Sequence, residues 1–477
     1  MLVNLRIINV CKVMVIAASL FLLNAEAQNA IGSGNIASVY SNNCAVCHGA
    51  KLEGGIGSAL NDDVWQFASN DDERADVIRN GIANTEMPAW GDKLSDLEIR
   101  ALVILMHEQK QLANSQSILQ KTTGKDGIFS TEDYSFSLER VAGGEGMLWS
   151  MDFLPDGSII STQRDGVLWH FKGSERQVIT GIPKVWQNGQ GGLLEVQLHP
   201  DYAKNKWIYL TYSESVKPGR GITAIVRGKI KNNEWVEQQE IFHAPVKFHG
   251  SKGHHFGSRL VFDNGYLFFG IGDRGEMEQA QDISRPNGKI HRIFDDGRVP
   301  KDNPFYNTDK AFKTIWAYGN RNPQGMDKHP LTGELWETEH GPRGGDETNL
   351  IKKGKNYGWP VITYGMNYNG QPISSQTHKD GMEQPEHYWV PSIAVCGIDF
   401  YEGDVFPKWK YNLIVGGLAS EELHRLVIED NKVVKDEILM KNQGRIRDVA
   451  NGPDGHIYVI LNQGQNKIGS IFKLMKK

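Results

Sequence analysis

The spacing of apolar residues changes character three times along this chain. An unbroken apolar run, Val13 to Leu23, lies behind Arg6 and Lys12 and ends at Ala25-Glu26-Ala27. That run is too short for a helix to cross a bilayer core of about 30 Å. A charged start, a short apolar middle and an A-x-A site predict a secretory signal peptide over residues 1–27; an uncleaved membrane anchor is the alternative. From residue 30 to 110 the period is helical. Ile99, Leu102, Val103 and Met106 repeat at i, i+3, i+4, i+7 behind Ser95-Asp96-Leu97-Glu98, a capping box, so this helix buries Met106 as core. An earlier helix is expected from Ile36 to Cys47. Gln109 to Asp126 is polar and rich in Gln, Ser, Lys and Thr, and residues 111–134 read as a linker.

From Ser135 the pattern becomes short β-branched and aromatic runs separated by turn signals, a mainly β region over residues 135–477. Five segments share one grammar of strand, turn, strand: around Asp156-Gly157, His199 to Tyr212, Asn264-Gly265, Thr332-Gly333 and Asp454-Gly455. Each is a predicted hairpin, and the widest gap leaves room for a fainter one near Phe400 to Val415. Recurring hairpins predict a propeller, and the length suits six blades of about 40–50 residues each. A β-sandwich is the runner-up.

Composition narrows the function. With 52 Lys+Arg against 57 Asp+Glu and a net charge of −5, the chain lacks the basic excess of a nucleic-acid binder. Four cysteines in 477 residues are too few for a disulfide framework. Cys11 lies in the signal segment. Cys44-Ala-Val-Cys47-His48 is the C-x-x-C-H attachment signature of c-type haem, with two thiols for the vinyl groups and an imidazole for the iron. A redox disulfide and half a zinc site are the other readings of the cysteine pair. Met87, in Glu86-Met87-Pro88, is the expected sixth ligand. The helix, the C-x-x-C-H and a Met-Pro loop about 40 residues later resemble a small class I cytochrome c over residues 30–110. Cys396, between apolar neighbours, is expected as a buried free thiol.

Between the hairpins lie polar clusters rich in Gly and Arg: around Gln190; His254-His255-Phe-Gly-Ser-Arg259; Gly272-Asp273-Arg274; Asn320-Arg321-Asn322; Glu339-His340-Gly341-Pro342-Arg343 running to Asp346-Glu347 and Tyr357; and Arg445-Ile-Arg447. Asp273 and Arg274 also read as a surface ion pair. Alternating Arg445 and Arg447 suit a carboxylate-bearing ligand, and hard oxygens at Asp346 and Glu347 suit calcium.

With HFGSRL, YGNRNPQG, EHGPRGGDE, KNYGWP and RIRD in order, the region resembles the soluble sugar dehydrogenases that depend on pyrroloquinoline quinone (PQQ). The resemblance implies a six-bladed propeller that oxidises an aldose to its lactone. By it, His255 is the base and Arg321 assists; Gln190, Arg321, Asn322, Tyr368, Leu418, Ala419, Arg445 and Arg447 contact PQQ. Gly341 and Pro342 hold one calcium, Glu347 and Tyr357 a second. Two departures stand out: Gly417-Leu418-Ala419 lacks a lysine found in some relatives, for which Arg343 or Arg274 are candidate substitutes, and His254 replaces the aspartate that precedes the base. A periplasmic quinohaemoprotein passing electrons from sugar through haem to an external acceptor follows. The rivals are a non-enzymatic sugar- or protein-binding propeller tethered to a cytochrome, and a quinone-free dehydrogenase using only haem.

Overall fold

The computed structural model of the chain describes residues 35–62, 64–122 and 127–477, so the signal-peptide reading of residues 1–27 lies outside the described residues. The chain divides into two compact units: the first runs to Lys110 and includes the short segment Met366–Pro372, and the second comprises Gln111–Gly365 and Ile373–Lys477. Among the described residues no helix is long and apolar enough to cross a membrane.

In the first unit the expected N-terminal helix is two pieces, α1 (Asn35–Asn43) and α2 (Ala45–His48). Helix α3 (Asp71–Asn80) starts at Asn70, whose side chain accepts from the Glu73 amide. The capping box forms as expected: Ser95 Oγ accepts from the Glu98 amide at 3.3 Å, and Glu98 reaches back to the Ser95 amide at 2.9 Å. The helix it starts, α4 (Asp96–Thr122), buries Ile99, Leu102, Val103 and Met106. It also runs into the segment read as linker. The Gln, Lys, Leu and Ala residues there have good helix propensity, and polarity alone does not end a helix that has already nucleated. The first strand, Ile128–Ser130, likewise begins inside the expected linker.

In the second unit, six antiparallel sheets form the six blades of a propeller, spanning 148–179, 193–242, 260–318, 323–389, 395–441 and 445–476. All five hairpins expected from sequence join the first and second strands of a blade, and the fainter one does the same in blade 5. First strands ring the axis, and side-chain carboxylates tie them together. Asp152 accepts from the Leu198 amide at 2.7 Å, Asp327 from Phe400 at 2.7 Å, Asp399 from Asn451 at 2.6 Å and Asp448 from Met151 at 2.9 Å. The core is a set of apolar layers between neighbouring blades. Ile160, Leu168 and Ile179 of blade 1, for example, pack on Leu193, Leu210 and Trp235 of blade 2. Strands buried on both faces lose strict alternation, so the turns were clearer signals than the strands. The ring closes where strand Ser135–Gly143 joins the last blade beside the C-terminal strand Ile468–Lys476.

Candidate functional site

Blade topology sorts the polar clusters. Asp-Gly hairpins turn at one end, so the turns between second and third strands, and the crossings from each blade to the next, lie at the other. Gln190, His255 and Arg321-Asn322 sit in blade-to-blade crossings; Asp273, His340 to Glu347 and Leu418-Ala419 sit between second and third strands or at their margins; Arg445 and Arg447 begin the first strand of blade 6. Residues up to 257 positions apart in sequence thus reach one end of the propeller.

His255 holds a left-handed φ of 53°, an uncommon backbone state for a residue with a side chain. Its amide donates to Gln190 Oε1 at 2.8 Å, and its Nδ1 faces Asp273 Oδ1 at 2.6 Å. A Cβ on Gly272 would lie 2.5 Å from the His255 carbonyl oxygen, so only glycine allows this approach. Asp273 accepts as well from the Gly275 amide at 2.7 Å and from Trp359 Nε1 at 2.8 Å. Burial and the nearby charge of Arg321 push His255 below the ordinary histidine value, against the pull of Asp273. Burial alone would raise Asp273, but its bond to His255 brings it below the usual carboxylate value. The reading of Asp273 and Arg274 as a surface ion pair is therefore corrected: each is 1 % exposed, and they serve different partners. An aspartate does hold His255, from 18 residues downstream rather than from the preceding position.

Arg321 is buried and donates Nη1 to the carbonyls of His340 at 3.0 Å and Gly341 at 2.6 Å. Asn322 donates its amide to Glu339 at 3.2 Å and accepts from the Gly257 amide at 3.2 Å. Pro342 accepts from Ser392 Oγ at 3.1 Å, and Asp346 accepts from the Gly341 amide at 2.8 Å. Beneath them, Asn349 Nδ2 spans Glu337 at 3.3 Å, Glu339 at 3.5 Å and Glu347 at 3.3 Å. Burial raises all three glutamates, Glu339 to about 7, and the charge of Glu339 raises Glu337 and Glu347 further. Glu337 Oε1, Asn349 Oδ1 and Asn320 Oδ1 are buried without a partner, a set of hard oxygens that suits a cation. Among the described residues no three His, Cys, Asp or Glu side chains could hold a metal by themselves, so a calcium here would draw on backbone carbonyls too. Tyr357 is buried, with its hydroxyl donating to the Leu350 carbonyl at 2.6 Å.

Arg445 and Arg447 bring company that sequence reading missed. Burial lowers Arg445, and Arg447 lowers it further; Lys467 is lowered first by Arg445 and also by Arg164 and Arg447. Arg164, lowered by burial and then by Arg447, donates to the Gly189 carbonyl at 2.9 Å. Its amide donates to the Met147 carbonyl at 2.9 Å, while Arg447 reaches Met147 Sδ at 3.9 Å. None of these four cations has an ion-pair partner among the described residues. Arg164 and Lys467 occupy equivalent turns, between second and third strands of blades 1 and 6, a relation visible only once the ring is closed. Leu418 and Ala419 donate their amides to Ala394 and Ile393 carbonyls, each at 2.9 Å; the Leu418 side chain is buried, whereas Ala419 is exposed. Tyr368 is 73 % exposed in the 352–386 connection, and no hydrogen bond or ring contact joins it to the other site residues. Cys396 is a fully buried free thiol, with Arg447 Nη1 at 3.6 Å and Arg259 Nη2 at 3.8 Å.

In the first unit Cys44, Cys47, His48 and Met87 line one cavity of about 450 Å³ with Trp65, Ile78, Leu102 and Met106. His48 Nδ1 lies 2.8 Å from the Ser58 carbonyl; donating there leaves Nε2 with its lone pair free for a metal. Apolar walls, two adjacent thiols and an oriented imidazole fit a covalently attached haem.

The glucose/sorbosone dehydrogenase family profile matches residues 146–472, and that of cbb3-type cytochrome c oxidase subunit III matches residues 34–106. Over 329 residues the chain is 41 % identical to the aldose sugar dehydrogenase YliI of Escherichia coli, covering 67 % of this chain and 88 % of that one. The crystal structure of the soluble aldose sugar dehydrogenase from Escherichia coli in its apo-form superposes with a TM-score of 0.68 at 38 % identity, over 72 % of this chain and all of that one. The PQQ-bound aldose sugar dehydrogenase from Streptomyces coelicolor shares the fold, with a TM-score of 0.59 at 24 % identity over 73 % of this chain and all of that one.

Proposed function

This chain belongs to the glucose/sorbosone dehydrogenase family, and we propose that it oxidises an aldose at the anomeric carbon to the lactone, as a periplasmic quinohaemoprotein whose electrons leave through its c-type haem to an external acceptor. The observation that carries this reading is the buried His255–Asp273 pair. With Nδ1–H donated to the carboxylate, the lone pair of His255 is on Nε2, and burial keeps the ring neutral, as a general base requires. It takes the proton of the anomeric hydroxyl as hydride leaves that carbon. Arg321, close enough to depress His255, supplies positive charge where negative charge develops.

PQQ, when bound, supplies a two-electron acceptor bearing carboxylates. Arg445 and Arg447 would hold those carboxylates, with Arg164 and Lys467 adding the charge that the missing lysine would have given; Arg274, buried on Phe256, does not fit that substitution. Gln190 and Asn322 would orient cofactor and sugar, with Leu418 and Ala419 at the cofactor's margin. The carbonyls of Gly341 and Pro342, each with a lone pair left, would bind one calcium, and Glu347 with the Tyr357 carbonyl a second. Cys44 and Cys47 would anchor the haem, with His48 and Met87 as its axial ligands.

Adding an aldose to the chain loaded with PQQ and calcium is expected to raise the reduced-haem absorbance band. His255→Ala should abolish that change and leave reduction by ascorbate intact. Haem reduction by sugar at the original rate in this variant would overturn the assignment of the base.

A further inference from the structure

A polar cavity of about 320 Å³ opens at the same end of the propeller as the residues assigned to the reaction, against the loop that carries His254 and His255. Its walls include Arg220, from the turn between second and third strands of blade 2; Lys247, from the crossing to blade 3; and Arg274, Glu276, Arg285 and Asn287, from the connection between second and third strands of blade 3. Four of these six residues are cations and one is an acid. Glu276 is taken by Lys252 at 2.8 Å, and Arg285 is paired with Asp282 at 3.3 Å. Two other acids stand near the walls and are spoken for: Asp273 holds His255, and Glu214 holds His243 at 2.7 Å with His249 at 3.7 Å. Among the described residues Arg220, Lys247 and Arg274 have no ion-pair partner.

Arg274 is the most demanding of them. It is buried, its guanidinium lies 3.5 Å over the Phe256 ring, and it donates to the carbonyls of His254 and of Lys252, while Nε has no partner. Carbonyl dipoles and a ring face do not neutralise a guanidinium, and a buried charge lacking a counterion is unfavourable until an anion approaches. Burial pushes this arginine down to about 9, against the pull of the neighbouring Asp273. Two acceptors complete the wall. His249 presents Nε2 to the Ala244 carbonyl at 3.1 Å, which leaves Nδ1 as a lone pair without a partner, and Asn287 Oδ1 is also unpartnered; both side chains are almost wholly buried. Acceptors beside cations suit a molecule that brings hydroxyl protons together with a negative group.

We propose that this cavity binds a small polyhydroxylated anion, a sugar acid or a sugar phosphate, at a site separate from the residues assigned to the reaction. Its volume is at the lower end for small-molecule sites and holds a six-carbon ligand. The shared chemistry is an oxyanion on a polyol; the experiment distinguishes the two sources.

Titration calorimetry of the full chain with gluconate, with a hexose phosphate and with glucose tests this without turnover or any cofactor. At least one of the two anions is expected to bind with a stoichiometry of one, at least tenfold tighter than glucose, and the tighter of the two identifies the oxyanion. Lys247→Ala combined with Arg220→Ala, both exposed positions, should weaken that binding at least tenfold, and added salt should weaken it in the unaltered chain. Arg445→Ala with Arg447→Ala should leave it in place. No anion binding, glucose binding as tightly, or loss in the Arg445/Arg447 variant but not in the Lys247/Arg220 variant would each overturn the proposal. Because nothing here depends on sugar oxidation, failure of this test leaves the proposed reaction standing, and failure of that reaction leaves this site standing.

Discussion

At the scale of single residues, the proposed chemistry rests on how one imidazole is held. Asp273 fixes the tautomer of His255 and favours its charged form, whereas burial and Arg321 oppose charging. Asp273→Asn removes the favourable charge, so the acid limb of kcat/KM should move to lower pH, further below the ordinary histidine value of about 6.5. The plateau should fall by a factor on the order of 10²–10⁴, because an amide no longer enforces Nδ1 protonation. A pH–rate profile separates the two effects, and an acid limb that moved upward would contradict the arrangement. His255 was legible because it sits in a run of motif residues. Asp273 was not, because its approach needs the bare backbone of Gly272 and the Trp359 indole from another blade, and neither relation follows from sequence spacing.

At the scale of elements, turn chemistry decided what could be read. Five first hairpins carry a compact Gly-containing turn or a short loop, while blade 5 joins Val395–Phe400 to Leu413–Gly417 through a longer segment closed by packing of Phe406 and Trp409, which stack at 4.6 Å. Aromatic packing leaves a weaker local signature than Asp-Gly, so that hairpin was faint. The outer strands of the same blade carry a buried ionic network that sequence did not suggest. His424 lies 2.6 Å from Asp436 and 3.3 Å from Glu422, and Asp436 also accepts from Trp389 Nε1 of blade 4 at 2.9 Å. Burial would lower His424, but the two carboxylates raise it to about 10. A folded-state value above the unfolded one means that this stabilisation is full below about pH 6.5 and is lost as pH rises toward 10. His424→Gln should therefore cost roughly 3–5 kcal/mol near pH 6, as expected when one partner of a buried pair is removed. The difference from the unaltered chain should shrink in alkali, and denaturant melts at several pH values measure it. A gap that widened with pH would reverse the sign of the argument.

At the scale of the whole molecule, the propeller is held by closure as much as by its blades. Strand Ser135–Gly143 pairs with Ile468–Lys476 from Phe136 opposite Lys476 to Gly143 opposite Ser470, so the two ends of the ring share one sheet. Phe136 is buried in that seam, 5.2 Å from the Phe129 ring and 6.2 Å from Trp409 of blade 5, and so ties the closing strands to the neighbouring blade. Phe136→Ala leaves a large void where no backbone can collapse without breaking the shared sheet, a cost of roughly 3–5 kcal/mol. For a unit of this size that lowers the melting temperature by about 5 °C. Since every blade packs only on its two neighbours, an opened seam exposes the edges of both terminal blades, and the loss should appear in the transition of the whole propeller rather than as a separate early one. Ile128→Ala, at an exposed position of the outermost strand in the same sheet, is the contrast and should change stability by less than about 1 kcal/mol. Calorimetry of the two variants tests the seam directly. Equal melting temperatures for both would mean that the inter-blade layers carry the ring without its closure.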